Sequence, residues 1–430
     1  MVLRETVCLR QLAGGKHCEE IGFGRFLAND AVTVERIVAG WSDRTRAAVD
    51  GRHILALQDT SEIRFPTTPD NRRDLGKVKK GMCWGLLLHP MLALDAEHGS
   101  CLGLVSGQVW TREDEELAPH ADRPLSEKES RRWVETAEAA KPVLARASMV
   151  TFIADRESDM YMMWARVPGD GFHLLSRVMN DRALNPGGTL RRAARDAAIR
   201  DMRTIELRER ADRPARRAEL CLRFGQATIK RPKNLREDGL PEGVTLHWVD
   251  IAERAAPQGA EPLHWLLLTT HAVGGIDQAW QIVGWYKQRW VIEQFFRTMK
   301  TQGLKIEDSQ VQSAARLEKL VAIAAKAAVI VIQLVQARTG NDDQPAGIVF
   351  TPHEIDTLAA LETRFKGRTR LQTNPNRKNS LAWAAWIVAR LGGWNGYASS
   401  RPPGPITFHN GIAYLRACAD GWALRDVYMP

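Results

Sequence analysis

The stretch HILALQDTSE at residues 53–62 and its counterpart MVTFIADRESD at 149–159 decide the fold of this chain. Each is a short run of successive apolar, often branched side chains, which is typical of strands buried on both faces of a sheet. The two runs end in Asp59 and Asp155. In open α/β sheets ligands gather beyond the carboxyl ends of the strands, so both carboxylates are well placed for a site. Taken alone, either aspartate could equally be a turn residue or a helix N-cap.

A third stretch, WYKQRWVIEQFFRTMK at residues 285–300, carries polar side chains at helical spacing. Intervals of three and four residues place them on one narrow stripe of a single predicted helix. The stripe consists of Tyr286, Arg289, Glu293, Arg297 and Lys300. Apolar side chains occupy another face and can pack against a core, namely Trp285, Ile292, Phe296 and Met299. A carboxylate among cations and a phenol suits a site that holds a metal ion and grips phosphate, although a solvated helix face with ion pairs has the same spacing.

Three carboxylates from distant parts of the chain, Asp59, Asp155 and Glu293, form a candidate metal site. Their oxygens can hold two hard divalent cations, with Mg²⁺ as the expected ion and Mn²⁺ as a substitute. Two ions about 4 Å apart activate a water or a 3′-hydroxyl and stabilise the leaving oxygen when a phosphodiester is attacked. Close carboxylates repel one another, so without metal at least one pKa should rise. The six cysteines are scattered without a C-x-x-C pair, so they indicate no competing zinc site.

The order and intervals of the three stretches resemble those of DDE transposases of the insertion-sequence-four family, the Tn-five type. The matching motifs are D-T-S at Asp59, D-R-E at Asp155 and Y-x2-R-x3-E-x6-K from Tyr286, of which the last is the most specific. The resemblance begins near Gly22 and extends almost to the C-terminus. It implies an α/β fold with an RNase H-like mixed sheet flanked by helices, an all-β insertion before the Glu-bearing helix, and a helical C-terminal region.

The resemblance also implies a role for each matching residue. Asp59, Asp155 and Glu293 match the catalytic, metal-binding triad. The implied DNA contacts are Tyr286, Arg289, Arg297, Lys300, Arg156 and Trp265. Trp265 matches an aromatic residue that stacks on a base flipped from the duplex, with a core tryptophan as the alternative. Arg177 lies within one residue of a further basic position of the family.

Composition is consistent with a nucleic-acid partner. The chain has 430 residues and a formal net charge of +9, which suits a polyanion without proving one. Two basic segments, 71–81 and 213–233, are predicted either to reach phosphates or only to form a solubilising surface. Scattered cysteines indicate reduced thiols and a cytoplasmic setting, which the resemblance implies is bacterial and nucleoid-associated. Segment 321–337 is the most apolar, but it contains a lysine and is predicted to be a buried helix rather than a membrane span.

Breaks in pattern predict three regions. Residues 1–50 are interpreted as a remnant of an N-terminal DNA-binding domain, because the family carries a longer domain where only 58 residues precede Asp59 here. Residues 51–330 form the predicted catalytic domain, with a β insertion at about 183–262 where polar and apolar residues alternate. Residues 331–430 are predicted to be helical, and the resemblance implies that they serve in dimerisation.

These observations predict a cut-and-paste DNA transposase. It would bind transposon ends as a homodimer, cut them by metal-dependent hydrolysis and transesterification, and join them to target DNA. Two alternatives remain open from the sequence. One is a metal-dependent nuclease with the same core and no strand transfer. The other is a truncated or catalytically idle DNA-binding regulator of a full-length transposase, which the short N-terminal region would suit.

Overall fold

A computed structural model describes most of the chain. The described residues are 1, 6–68, 71–78, 83–112, 130–207, 209, 215–235, 237–301, 303–340, 344–365, 373–397 and 401–428, with side chains to residue 423. Part of the predicted basic segment 71–81, and part of 213–233, lies outside these residues.

The described strands form one mixed sheet with helices packed against it, which confirms the predicted α/β class. The twelve strands are β1 (His53–Gln58), β2 (Ser61–Arg64), β3 (Gly76–Val78), β4 (Cys83–Asp95), β5 (Cys101–Trp110), β6 (Met149–Ala154), β7 (Phe172–Arg177), β8 (Leu184–Asn185), β9 (Asp201–Leu207), β10 (Arg216–Lys230), β11 (Gly243–Glu253) and β12 (His264–Thr269). The α-helices are α1 (Leu9–Leu12), α2 (His17–Ala28), α3 (Val34–Ala39), α4 (Thr45–Ala48), α5 (Arg131–Leu144), α6 (Tyr161–Arg166), α7 (Leu190–Asp196), α8 (Ile276–Lys287), α9 (Trp290–Lys300), α10 (Ala314–Ala337), α11 (Pro352–Glu362), α12 (Leu381–Leu391) and α13 (Pro405–Tyr428).

The two apolar runs that end in aspartate form neighbouring central strands. Strand β1 pairs antiparallel with β4 on one side and parallel with β6 on the other. Strand β6 pairs parallel with β7, and β7 pairs antiparallel with β12. Five of the six residues in each of β1 and β6 are buried, as their unbroken apolar character predicts.

The strand register determines which side chains meet at the carboxyl end of the sheet. His53 pairs with Met149 and Leu57 with Ile153, a constant offset along β1 and β6. The same offset, continued past the strand ends, sets Asp59 beside Asp155. Parallel pairing brings both carboxylates to one edge of the sheet, and alternation of side chains puts them on the same face.

The sheet separates two apolar cores. Residues such as Leu57 and Ile153 pack on the face that carries α9 and α10. Their neighbours Ala56 and Phe152 pack on the other face, in the core that includes Trp133 of α5. Because Asp59 and Asp155 continue the first set, they project towards the α9 face.

The same strands carry a histidine cluster at their opposite end. Thr151 Oγ1 lies 2.8 Å from His53 Nε2 and 2.7 Å from His271 Nε2. His173 stacks on His271 with ring centroids 4.0 Å apart. Trp285 of α8 closes the cluster, with its ring centroid 4.7 Å from that of His53. Burial lowers the pKa of His53 to about 4 and that of His271 to about 3, so these rings are neutral at pH 7.

The segment predicted as an all-β insertion continues the same sheet through β8, β9, β10 and β11. It is not purely β, because α7 lies within it. Leu190 and Ala194, four residues apart on α7, are both buried, and this spacing favours a helix. The boundaries of the insertion stay a prediction.

The described N-terminal helices are fastened to α10. Trp41 Nε1 donates to the carbonyl oxygen of Ala322 at 2.9 Å. Lys319 Nζ donates to the carbonyl oxygen of Asn29 at 3.0 Å, and Lys326 donates to that of Trp41. Lys319 is buried, so its ammonium group depends on these backbone oxygens for solvation.

Helix α10, Ala314–Ala337, is long and apolar enough to cross a membrane by length and composition alone. Its most apolar window is 67% buried inside the protein. The buried helix predicted for 321–337 agrees with this packing. The other described helices after it, α11, α12 and α13, make the C-terminal region helical, as predicted.

Candidate active site

The two aspartates lie immediately after β1 and β6, where each leaves its strand. Asp59 Oδ1 accepts a hydrogen bond from the N–H of Thr60 at 2.7 Å. Asp155 Oδ1 accepts one from the N–H of Glu157 at 2.8 Å and so caps the short 3₁₀ turn at 156–158. Asp155 is therefore a cap, as the alternative interpretation predicted. Its second carboxylate oxygen can still face a site, because capping uses only one of the two oxygens.

The polar stripe of residues 286–300 does not lie on one helix. Helix α8 ends at Lys287 and α9 begins at Trp290. Between them the N–H groups of Gln288 and Arg289 bond to carbonyl oxygens three residues back, at 3.0 and 3.1 Å. This tighter turn interrupts the i,i−4 pattern, so the prediction of a single continuous helix is wrong. Arg289 occupies the turn.

Arg289 joins two of the three predicted metal ligands. Its Nη1 lies 3.5 Å from Asp59 Oδ2, and its Nη2 lies 2.5 Å from Glu293 Oε1. The two guanidinium nitrogens thus hold a carboxylate from the end of β1 and one from the first turn of α9. The negative charge of Glu293, in the first turn of α9, is also stabilised by the partial positive charge at the N-terminus of that helix.

Asp59 is electrostatically strained despite its contact with Arg289. Its pKa rises to about 7, because burial and the neighbouring Asp155 carboxylate disfavour its charge. The Thr60 N–H and Arg289 act in the opposite direction and do not compensate fully. The expectation that close carboxylates raise at least one pKa is met at Asp59. An acid of this kind in a cleft is a candidate functional group.

Tyr286 is buried, although its place on the polar stripe predicts exposure. Its ring packs edge-on against Trp265, with centroids 5.1 Å apart. Burial raises the pKa of the Tyr286 phenol, despite the opposing effects of Arg289 and Arg177. The hydroxyl is therefore protonated at pH 7 and able to donate a hydrogen bond. Trp265 is only half-buried, so the indole both packs on the core and keeps accessible surface.

The remaining basic residues divide into two groups. Arg156 is exposed, and its charge, with that of Arg289, helps lower the pKa of Arg177 after the larger effect of burial. These three cations surround the carboxyl end of the sheet. Lys300 instead donates to the carbonyl oxygen of Glu62. Arg297 is exposed, with its guanidinium 5.8 Å from the centroid of the Trp290 ring. These described contacts of Lys300 and Arg297 are with residues other than the predicted metal ligands.

A second acidic group lies in the turn after β4. Among the residues that the structure describes, Asp95, Glu97 and His98 are the one set with ligating atoms all within 4.8 Å of one another. The predicted triad is more widely spaced by this measure. Asp95 is buried, pairs with Arg52 and accepts the N–H of Glu97 at 2.8 Å. These contacts already satisfy its carboxylate within the turn.

Arg132 on α5 is a residue near the site that the motifs did not indicate. Its Nε donates to Thr60 Oγ1 at 2.9 Å, and its Nη2 donates to Glu157 Oε2 at 3.0 Å. The helical phase offers a signal, because position 132 shares a face with the buried Thr136 and Ala140. A charged residue on the buried face of a helix needs a partner and is worth singling out.

Comparison with known proteins adds an independent finding. Residues 123–330 match the family model described as the transposase DDE domain. The match contains Asp155 and Glu293 and begins after Asp59. Among solved structures, the chain is similar to piggyBac transposase in a synaptic complex with hairpin DNA, at 8% identity and a TM-score of 0.36. That likeness covers 88% of this chain and 56% of the piggyBac chain, so the present chain spans little more than half of its length.

The family match supports a DDE transposase, an enzyme of the transposase and nuclease kind. The match agrees with the motifs on the general class, a DDE transposase. The described α/β architecture is compatible with such an enzyme.

Proposed function

We propose that this protein is a metal-dependent DDE transposase whose metal ligands are Asp59, Asp155 and Glu293. The observation that carries the proposal is their convergence from three elements. Strand register sets Asp59 beside Asp155, and Arg289 joins Asp59 to Glu293. The segment that matches the transposase DDE domain contains two of the three.

The donor set fits Mg²⁺, with Mn²⁺ as a substitute. Carboxylate oxygens are the preferred ligands of both ions. Burial and, after it, the neighbouring Asp155 carboxylate raise the pKa of Asp59, and a bound cation would offset both effects. Arg289 supplies a positive charge between Asp59 and Glu293, so a divalent ion would compete with its guanidinium. When bound, two such ions supply activation of a water or 3′-hydroxyl and stabilisation of the leaving oxygen.

The surrounding side chains suit double-stranded DNA. Arg156, Arg177 and Arg289 lie around the carboxylates and would hold phosphate oxygens on either side of the cut. The protonated Tyr286 hydroxyl would donate to the DNA backbone. Trp265 offers an accessible indole face beside Tyr286, on which an unpaired base would stack. Lys300 would likewise hold the backbone near the reacting phosphate, and Arg297 would add a further basic contact to the DNA.

The finer assignment follows the motif resemblance. We place the chain with the insertion-sequence-four family on its Y-R-E-K pattern, as an RNase H-like, cut-and-paste enzyme that acts as a homodimer in a bacterial cytoplasm. Residues 1–50, 51–330 and 331–430 would serve as a DNA-end-binding region, a catalytic domain and a dimerisation region, respectively. A nuclease without strand transfer and an idle regulator remain the competing functions.

The deciding experiment is cleavage of a labelled duplex that carries the terminal repeat of the element. With Mg²⁺ we expect nicked, hairpin and double-end products, and with EDTA none. Glu293→Ala should remove all products. Addition of target DNA then separates a transposase, which joins the ends, from a nuclease, which leaves them free.

Glu138→Ala is a matched control, because it removes a glutamate whose side chain is 44% exposed and pairs with Lys141 on its own helix, α5. It should cut DNA as the wild-type protein does. Retention of the duplex in a gel shift without cleavage by the wild type would favour the regulator instead.

A further inference from the structure

Arg132 spans the two loops that carry the predicted aspartate ligands. It contacts Thr60, the residue after Asp59, and Glu157, two residues after Asp155. Its side chain is only 10% exposed, whereas that of Glu157 is 58% exposed. The guanidinium therefore reaches the carboxyl ends of β1 and β6 from α5, on the face of the sheet opposite to α9.

The contact with Thr60 begins a hydrogen bond chain whose direction is fixed by chemistry. Gln58 Oε1 can only accept, so His89 Nε2, 3.2 Å away, carries the ring proton and donates to it. Burial keeps the ring neutral, so its Nδ1 accepts from Thr60 Oγ1 at 2.8 Å, and Thr60 Oγ1 in turn accepts from Arg132. Gln58 and Thr60 are the two chain neighbours of Asp59, so both are held by one chain of bonds.

The contact with Glu157 fixes the second loop in the same way. The N–H of Glu157 donates to the Asp155 carboxylate at 2.8 Å, while the Glu157 carboxylate accepts from Arg132. Arg132 therefore holds the carboxylate of the same residue whose N–H bonds to Asp155. One side chain is thereby coupled to the orientation of both aspartates.

We propose that Arg132 is a positioning residue that sets the separation of Asp59 and Asp155 for metal binding. This inference rests on the proposed metal site. The planar guanidinium suits the task, because it donates in two directions at once and packs near two indole rings, 5.8 Å from the centroid of Trp110 and 5.7 Å from that of Trp133. A lysine in its place would offer one nitrogen on a flexible stem instead of two nitrogens fixed in a plane, and would hold the two loops less rigidly.

The test measures Mn²⁺ binding to the DNA-free full chain by electron paramagnetic resonance, beside cleavage at increasing Mg²⁺. We expect Arg132→Gln and Arg132→Lys to weaken Mn²⁺ binding by about 10- to 100-fold, the usual effect of losing a group that orients a metal ligand. High Mg²⁺ should restore much of the cleavage rate. If Arg132 were needed only for folding, its variants would not combine weaker Mn²⁺ binding with a cleavage rate that recovers at high Mg²⁺.

Two further variants keep the test decisive. Glu157→Gln changes an exposed side chain and should fold normally, yet weaken Mn²⁺ binding in the same direction and add little to Arg132→Gln. Arg131→Gln is the control, because its side chain is 53% exposed and pairs with Glu135 on the same helix. It should bind Mn²⁺ like the wild type.

Wild-type Mn²⁺ affinity in folded Arg132→Gln and Glu157→Gln would overturn the positioning role. An equal loss in Arg131→Gln would overturn it as well. Failure of the proposed metal site is recognised separately. In that case Asp59→Asn and Asp155→Asn would leave Mn²⁺ binding unchanged.

Discussion

The two ends of strands β1 and β6 bury polar groups in opposite ways. At the amino end, His53, Thr151 and His271 form a neutral hydrogen-bonded cluster. At the carboxyl end, Asp59 stays electrostatically unsatisfied, although Arg289 lies beside it. Burial removes charge from histidines at no cost to their hydrogen bonds, because a neutral imidazole still donates and accepts. Close carboxylates lose charge only by taking up a proton, which Asp59 gives up as pH rises above about 7, so the carboxyl end is where an added cation would stabilise the fold.

The largest effect is expected from breaking the cation at the carboxyl end. Arg289→Gln should lower the DNA cleavage rate by about 10²–10³-fold, since it removes a charge that orients Asp59 and Glu293 and would hold phosphate. The measurement is single-turnover cleavage at saturating Mg²⁺. Arg297→Gln is the matched control on the same motif and should cost less than about tenfold. Equal losses in both variants would show that general charge, rather than the Arg289 position, matters.

A second prediction isolates the strain at Asp59. Its pKa of about 7 in the folded state exceeds the ordinary value of 3.8, so the folded protein binds the extra proton and loses stability as pH rises from about 4 to 7. Asp59→Asn should therefore stabilise the metal-free protein at pH 8 by on the order of 3 kcal/mol, and much less at pH 4.5.

Urea unfolding in EDTA at the two pH values measures this difference. Asp30→Asn, which changes an exposed carboxyl in a turn, should shift neither value. A gain for Asp59→Asn that does not depend on pH would mean that Asp59 is not the group under strain.

The smallest effect is expected at the histidine end. The pKa of His271 is lowered from 6.5 to about 3, so its contribution to stability is complete above pH 6.5 and is lost as pH falls. Between pH 6.5 and 5 the loss amounts to about 2 kcal/mol, at 1.4 kcal/mol per pH unit. His271→Gln should lose less stability than the wild type over this interval, as measured by urea unfolding. His17→Gln, at an exposed position, should behave like the wild type, and an unchanged loss in His271→Gln would contradict the prediction.

Much of the carboxyl end follows from sequence patterns. Unbroken apolar runs predicted β1 and β6, and the aspartate after each run predicted the place of the proposed site. The family match supports the transposase class that the spaced motifs suggested. These features are local in sequence, because a strand that is buried on both faces needs apolar side chains at successive positions.

What the patterns missed depends on tertiary contact. Helical spacing cannot show that the chain tightens at Gln288 and Arg289, because both residues keep right-handed helical angles. It also cannot show that Tyr286 is buried against Trp265, a residue 21 positions away. The link from Arg132 to Thr60 and Glu157 joins three separate elements, so no single stretch of sequence records it.

The anchoring of the N-terminal helices has a consequence for how such a protein can be taken apart. Lys319 and Lys326 project from α10 to the carbonyl oxygens of Asn29 and Trp41. Removal of residues 1–50 would strip these partners from two ammonium groups and uncover the apolar surface beneath Trp41. The N-terminal region therefore cannot be removed or exchanged independently of α10. A related chain that lacked it would need other side chains at the positions on α10 that contact it.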